Sequence, residues 1–134
     1  MKLVYIAIFA VIFFGCKDRS QDYPNAENAF DAGREFIDGC LKGDFTKAAF
    51  YMVNDDENNK DLLQIKNNYK AKTNEQKMQY RDASIIVNED ETVSDSVHII
   101  NYKNSYDNIA RKVKVILQNG IWQVDFKYTF NGNL

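Results

Sequence analysis

The chain has 134 residues, with 17 Lys and Arg against 19 Asp and Glu, a single histidine, two cysteines and one proline, for a formal net charge of −2. It carries neither a basic cluster nor an arginine-rich helix, so nucleic acid is excluded as a main partner, because binding phosphates needs concentrated positive charge. A hydrophobic share of 45% with 13% aromatics is that of a folded chain, and the length suits one domain with a modest core.

At the N-terminus, Lys2 is followed by an unbroken apolar run from Leu3 to Phe14 and then by Gly15-Cys16. A positive residue, a short apolar stretch and a small residue form the layout of a secretory signal. The run ends at the polar segment KDRSQD, well short of the roughly 20 apolar residues a spanning helix needs. Gly15-Cys16 resembles the lipobox of bacterial lipoproteins, with Phe13 and Phe14 standing where Leu and then Ala or Ser are usual. The resemblance implies that residues 1–15 are a removed signal, that Cys16 carries lipid, that residues 16–24 are a tether, and that residues 25–134 form a single domain. The expected location is the bacterial cell envelope, at the outer membrane, with the membrane as partner through the lipid on Cys16. Each buried CH₂ is worth about 0.8 kcal/mol, so several acyl chains hold firmly where one binds marginally. Removing the signal takes away one basic residue, Lys2, leaving 16 basic against 19 acidic residues and a net charge of −3.

With Cys16 committed to lipid, Cys40 has no partner for an internal disulfide and reads as a small buried apolar side chain on a helix. One histidine and one free thiol without ligand spacing support no metal site, and no cofactor motif is present.

Along the mature chain, Pro24 suits a first helical turn, and from Asn25 to Lys42 the residues Ala26, Ala29, Phe30, Gly33, Ile37, Cys40 and Leu41 recur at helical steps. Gly43 ends this helix and Asp44 caps a second, with Phe45, Ala48, Ala49 and Met52 on one face. The stretch NDDENN, residues 54–59, reads as a solvated loop. As a calcium loop it would need a glycine at the sixth and a carboxylate at the twelfth position, which no window supplies. A third helix covers Lys60 to Lys72 with Leu62, Ile65 and Tyr69 in a stripe. Thr73 to Gln76 has the spacing of a capping box for a short fourth helix before Arg81.

From Ala83 the apolar period changes to two, predicting strands at Ala83 to Asn88, Val93 to Lys103, Ala110 to Gln118 and Ile121 to Phe130. Asn119-Gly120 predicts a two-residue type I′ hairpin. Its register sets Leu117 opposite Trp122, Val115 opposite Val124, Val113 opposite Phe126 and Arg111 opposite Tyr128, an almost wholly apolar face. The other face then sets Lys114 opposite Asp125 and Ile116 opposite Gln123, which makes Asp125 a surface charge. Helices covering one face of an antiparallel meander of about four strands define an α+β domain.

The stretch AFDAGREFIDGCLKGDFTKAAFYM, a further helix ending near Tyr69 and a meander finishing in GIWQVDF together resemble the nuclear transport factor 2-like, or cystatin-like, superfamily, and within it small bacterial lipoproteins. The resemblance covers roughly Asn25 to Leu134 and implies a strongly curved sheet wrapped over helices around a conical pocket. Members divide between enzymes, which place an acid, a histidine or a tyrosine in that pocket, and non-catalytic binding modules.

His98 is the only histidine available to such chemistry. Val93, Val97 and Ile99 share one side of its strand while His98, Ile100 and Tyr102 share the other. The expectation is that the first row faces the helices, leaving His98 outside; in the alternative His98 and Tyr102 line the pocket together. Trp122, Phe126, Tyr128 and Phe130 read as packed core, or as a stacking wall for a ligand. The candidate pocket residues are thus His98, Tyr102 and Trp122, with no catalytic set. The expected function is that of a membrane-anchored lipoprotein whose non-catalytic domain binds an envelope protein or itself, with Ile116 and Ile121 as apolar points on the outer face. The alternative is a small-molecule binder, or a lyase- or isomerase-like enzyme, using the cone.

Overall fold

The computed structural model describes residues 23–131. The signal, Cys16 and nearly all of the tether lie outside these residues. In chain order the described part holds α1 (Ala29–Lys42), α2 (Phe45–Phe50), α3 (Asp56–Lys70), α4 (Asn74–Asp82), β1 (Ile85–Ser94), β2 (Val97–Asn104), β3 (Arg111–Gln118), β4 (Ile121–Asp125) and a closing 3₁₀ helix, Phe126–Phe130. The strands form one open, curved antiparallel sheet in the order β1-β2-β3-β4, with the helices packed on it, and the α+β class follows.

Helix α1 starts at Ala29 rather than Asn25, because the Asn28 side chain takes up the Asp31 amide at 2.8 Å and so caps the helix there. Pro24 stays outside the helix, and its carbonyl accepts the Tyr51 hydroxyl at 2.8 Å. Gly43 ends α1 in the left-handed conformation with φ of 73°, and Asp44 caps α2 by accepting the Lys47 amide at 3.0 Å. The two helices cross closely at Gly39, where a Cβ would stand 2.9 Å from both the Ala48 nitrogen and the Asp44 carbonyl oxygen. Most of NDDENN is not a loop: α3 begins at Asp56, with Asp55 as its cap. Asp56 and Glu57 fall in the first turn, where negative charge suits the helix dipole. Thr73 and Gln76 form the expected capping box on α4.

In the sheet, β1 runs on to Ser94, so residues 89–92, between the first two predicted strands, are themselves strand, and the turn is at Asp95-Ser96. A bulge between Val87 and Glu89 breaks the alternation there, and the acidic residues beyond it are exposed on an edge strand, which discourages edge-to-edge pairing. The Asn119-Gly120 hairpin has both residues at positive φ, 51° and 74°, and pairs Gln118 with Ile121, Leu117 with Trp122, Val115 with Val124 and Lys114 with Asp125. The fourth strand stops at Asp125, and the expected pairs of Val113 with Phe126 and Arg111 with Tyr128 do not form. Here the chain turns into the 3₁₀ helix.

Asn58 causes that turn. It is fully buried; its Nδ2 donates to Asp125 Oδ1 and Asp55 Oδ2, each at 3.1 Å, and its Oδ1 accepts the Lys127 amide at 2.7 Å. Asp125, expected as a surface charge, is only 9% exposed and also accepts from Lys127 Nζ at 2.6 Å. Phe126 still reaches the core, its ring 4.8 Å from that of Phe36. On the other side of β4, Met52 bridges to Val124: the Val53 amide donates to the Val124 carbonyl at 2.9 Å and the Val124 amide to the Tyr51 carbonyl at 2.8 Å.

The core lies between α1, through Ala29, Ala32, Phe36 and Ile37, and the inner sheet face, through Ile100, Tyr102, Val113, Val115 and Val124. Thus the row containing His98, Ile100 and Tyr102 faces the helices, opposite to the expectation. The cross-strand register decides it, since Ile100 pairs with Val113 and His98 with Val115, whose side chains are fully buried.

Candidate functional site

Between α1, α3 and α4 on one side and the sheet with the 3₁₀ helix on the other lies a cavity of about 310 Å³. Helix α1 contributes Phe36, Ile37, Cys40 and Leu41, α3 contributes Ile65, Asn68 and Tyr69, and Lys72 follows the end of α3. Tyr80 of α4, Tyr102 and Asn104 of β2, Arg111 of β3, and Phe126, Thr129 and Phe130 of the 3₁₀ helix complete the wall. The lining is mainly aromatic and aliphatic with a few convergent polar groups, the make-up of a small-molecule site, at the lower end of the roughly 300–1,000 Å³ such sites occupy.

Tyr102 is 8% exposed, yet no residue among those described hydrogen-bonds its hydroxyl. No buried side-chain polar atom of the described residues is both sealed off and unpaired, so this hydroxyl opens onto the cavity. Burial raises the phenol well above its ordinary value, and burial likewise pushes the Cys40 thiol up to about 12, so both groups face the cavity as neutral donors.

At one side of the cavity the β2–β3 loop is tied down by a polar cluster. Asn104 Oδ1 accepts the amides of Tyr106 and Asp107, each at 3.0 Å. Arg111 grips Asp107 in two bonds, Nη1 to Oδ1 at 3.1 Å and Nη2 to Oδ2 at 2.6 Å, while the Tyr80 hydroxyl donates to Oδ2 at 3.3 Å. Burial opposes ionisation of Asp107, but bonds from Arg111 and the Ile109 amide outweigh it and hold the carboxyl at about 2. The Arg111 charge is thereby spent on Asp107.

Of the three expected pocket residues, Tyr102 alone lines this cavity. His98 and Trp122 meet each other instead, ring edge to face at 5.5 Å, at the other end of the same sheet face; His98 Nδ1 stands 3.0 Å from Asp90 Oδ1. His98 and Tyr102 share a face without sharing a pocket, because Ile100, packed on Gly33, fills the space between them. Asn104, Arg111, Tyr80 and Lys72 were not foreseen. Asn104 falls one residue beyond the second predicted strand, and the others come together only through the packing of α3 and α4 on the sheet.

Among the described residues no group of three or more His, Cys, Asp or Glu side chains is placed to hold a metal ion, and no helix is long and apolar enough to cross a membrane. The class defined by this geometry is an α+β domain with helices packed on a four-stranded antiparallel meander and a cavity between the layers. No protein-family model matches the chain, and no curated protein or solved structure was found to match it. The likeness to the nuclear transport factor 2-like and cystatin-like proteins therefore remains a resemblance of sequence motifs.

Proposed function

We propose that this chain is a membrane-anchored, non-catalytic binding protein, held through lipid on Cys16, whose domain receives a small apolar molecule in the cavity between helices and sheet. The observation that carries the reading is the cavity of about 310 Å³, walled mainly by aromatic and aliphatic side chains, onto which the Tyr102 hydroxyl opens without a partner among the described residues. The placement of the titratable groups supports binding over catalysis. His98 with Asp90 lies away from the cavity, Arg111 is occupied by Asp107, and Tyr102 and Cys40 are held protonated by burial.

Native mass spectrometry of the full protein released from its own membrane tests this directly. A discrete adduct that disappears in Tyr102→Phe or in a cavity-filling Ile65→Trp variant is the expected result; a bare chain mass throughout removes the basis of the reading. For the anchor, Cys16→Ala is expected to shift the protein from the membrane to the soluble fraction, and retention in the membrane would rule the lipid out.

A protein partner on the outer sheet face is the second reading. The cross-strand pair Val97 and Ile116 lies there with Ile99 and with Ile121, which is 39% exposed, an apolar corner beside Lys114. Cross-linking in the envelope through a cysteine placed at Ile121 distinguishes it: one discrete partner band favours this face.

A further inference from the structure

We propose that the cavity selects a compact apolar carboxylate, with Lys72 as its counter-charge. The inference rests on the reading that the cavity holds a ligand and adds to it the ligand's chemical class.

Among the described residues two cationic side chains line the cavity, Lys72 and Arg111, and no carboxylate does. Arg111 is matched by Asp107 behind it through two hydrogen bonds. Lys72 forms no ion pair among the described residues. Its ammonium lies 4.7 Å from the centroid of the Tyr80 ring, and Tyr80 is itself part of the wall. That cation–π contact orders the side chain along the cavity without neutralising it. The remaining polar side chains of the wall are phenols, amides, one threonine hydroxyl and one thiol, which add hydrogen-bond donors. A ligand entering here meets an aromatic and aliphatic surface with one uncompensated positive charge at its border. An apolar body with a single anionic end satisfies both, whereas a cation would be repelled and a neutral molecule would leave Lys72 as it is. The volume of about 310 Å³ limits the body to one or two rings or a short branched chain.

The test uses the full chain in nanodiscs of neutral phosphatidylcholine, titrated with three probes that share one ring system and differ in charge: naphthoate, naphthylmethanol and naphthylmethylammonium. Binding is read from naphthalene fluorescence, with empty nanodiscs subtracted. Naphthoate is expected to bind on the order of tenfold more tightly than the alcohol, and the ammonium probe most weakly. Lys72→Met is expected to bring naphthoate down to the level of naphthylmethanol while the alcohol's own affinity changes less than about twofold, which reports that the cavity is intact. Lys60→Met removes the same charge from the first turns of α3, at the other end of the helix, and is expected to keep the preference. Equal affinities for acid and alcohol in the unsubstituted chain, or a preference that survives Lys72→Met, overturn the assignment and leave the cavity reading standing. Binding of none of the three probes overturns both.

Discussion

Replacing Asn58 by alanine removes three hydrogen bonds from a side chain that has no exposed surface. Two of them go to carboxylates, Asp55 and Asp125, and the third is accepted from the Lys127 amide. A hydrogen bond contributes about 1 kcal/mol net, and one to a charged group about 1.5–3 kcal/mol. Part of the Asp125 contribution survives the change, because Lys127 Nζ remains 2.6 Å from it. The Lys127 amide is left without its partner, which costs about 1–3 kcal/mol more unless water replaces the amide oxygen. Since such terms overlap, the expected loss is about 3 kcal/mol. Urea unfolding followed by Trp122 fluorescence is the assay; with a slope near 1.5 kcal/mol per molar, typical for a domain of this size, the midpoint falls by about 2 M. Asn58→Asp is expected to do no better, because it sets a third carboxylate beside Asp55 and Asp125. The reasoning is refuted by a midpoint shift under about 0.5 M for Asn58→Ala, since that would mean that water occupies the vacated position at little cost.

Three further outcomes follow from the same structure. Gly39→Ala is expected to lower stability by about 2 kcal/mol in a thermal melt, because the new methyl group meets backbone of α2 at 2.9 Å and the gain in helix propensity is smaller than the cost of prising the helices apart; an unchanged or higher melting temperature contradicts it. Despite burial, bonds from Arg111 and the Ile109 amide hold the Asp107 carboxyl at about 2 in the folded chain against near 4 when unfolded, so the ionised carboxylate with all of its partners contributes above about pH 4 and this is lost as pH falls towards 2, about 2 kcal/mol in all. Asp107→Asn is expected to flatten stability against pH in that window, and an unaltered slope would show that other carboxylates carry the acid sensitivity. With its thiol pushed up to about 12, Cys40 is expected to resist Ellman's reagent at about pH 8 until denaturant is added, and rapid reaction of the folded chain would show the cavity wall to be open there.

The parts of this fold that were legible in the sequence are those set by local chemistry. Asn119-Gly120 demands positive φ at two successive residues, so it announced a hairpin and, with the alternation on either side, its register from Gln118 to Asp125. Gly43-Asp44 and Thr73 to Gln76 marked helix ends through capping bonds that span three or four residues. The structure departs from the sequence pattern where distant residues decide. Nothing beside Asp125 in sequence tells that Asn58, 67 residues away, will capture its carboxylate and turn the strand into a 3₁₀ helix. The orientation of His98 was undetermined because both rows of β2 are partly apolar, and the buried row is chosen by the fully covered Val113 and Val115 on the next strand. The candidate site was the least legible part. Tyr102 stood out as an aromatic on the row of the single histidine, but Lys72 looked like any lysine after a helix, and its place on the cavity wall over the Tyr80 ring exists only once α3 and α4 are packed around the same space.

An apolar cavity at this position is not a simple failure of packing, because its walls are fixed independently of anything inside it. The start of α3 and the 3₁₀ helix are joined by Asn58, Asp125 and Lys127. The end of α3 meets the end of α1 where the Tyr69 ring lies over Gly43, so close that a Cβ there would stand 2.5 Å from it. The β2–β3 loop is held by Asn104, Asp107 and Arg111, with Tyr80 linking it to α4. These ties hold the elements that carry Phe36, Ile65 and Phe126, which opposes closure of those apolar side chains over the space. Side chains free to move would collapse and recover the dispersion energy of filled space. A frame that prevents the collapse gives up that energy in the empty protein and lowers the ordering cost when a molecule binds, which is how a preformed site gains affinity.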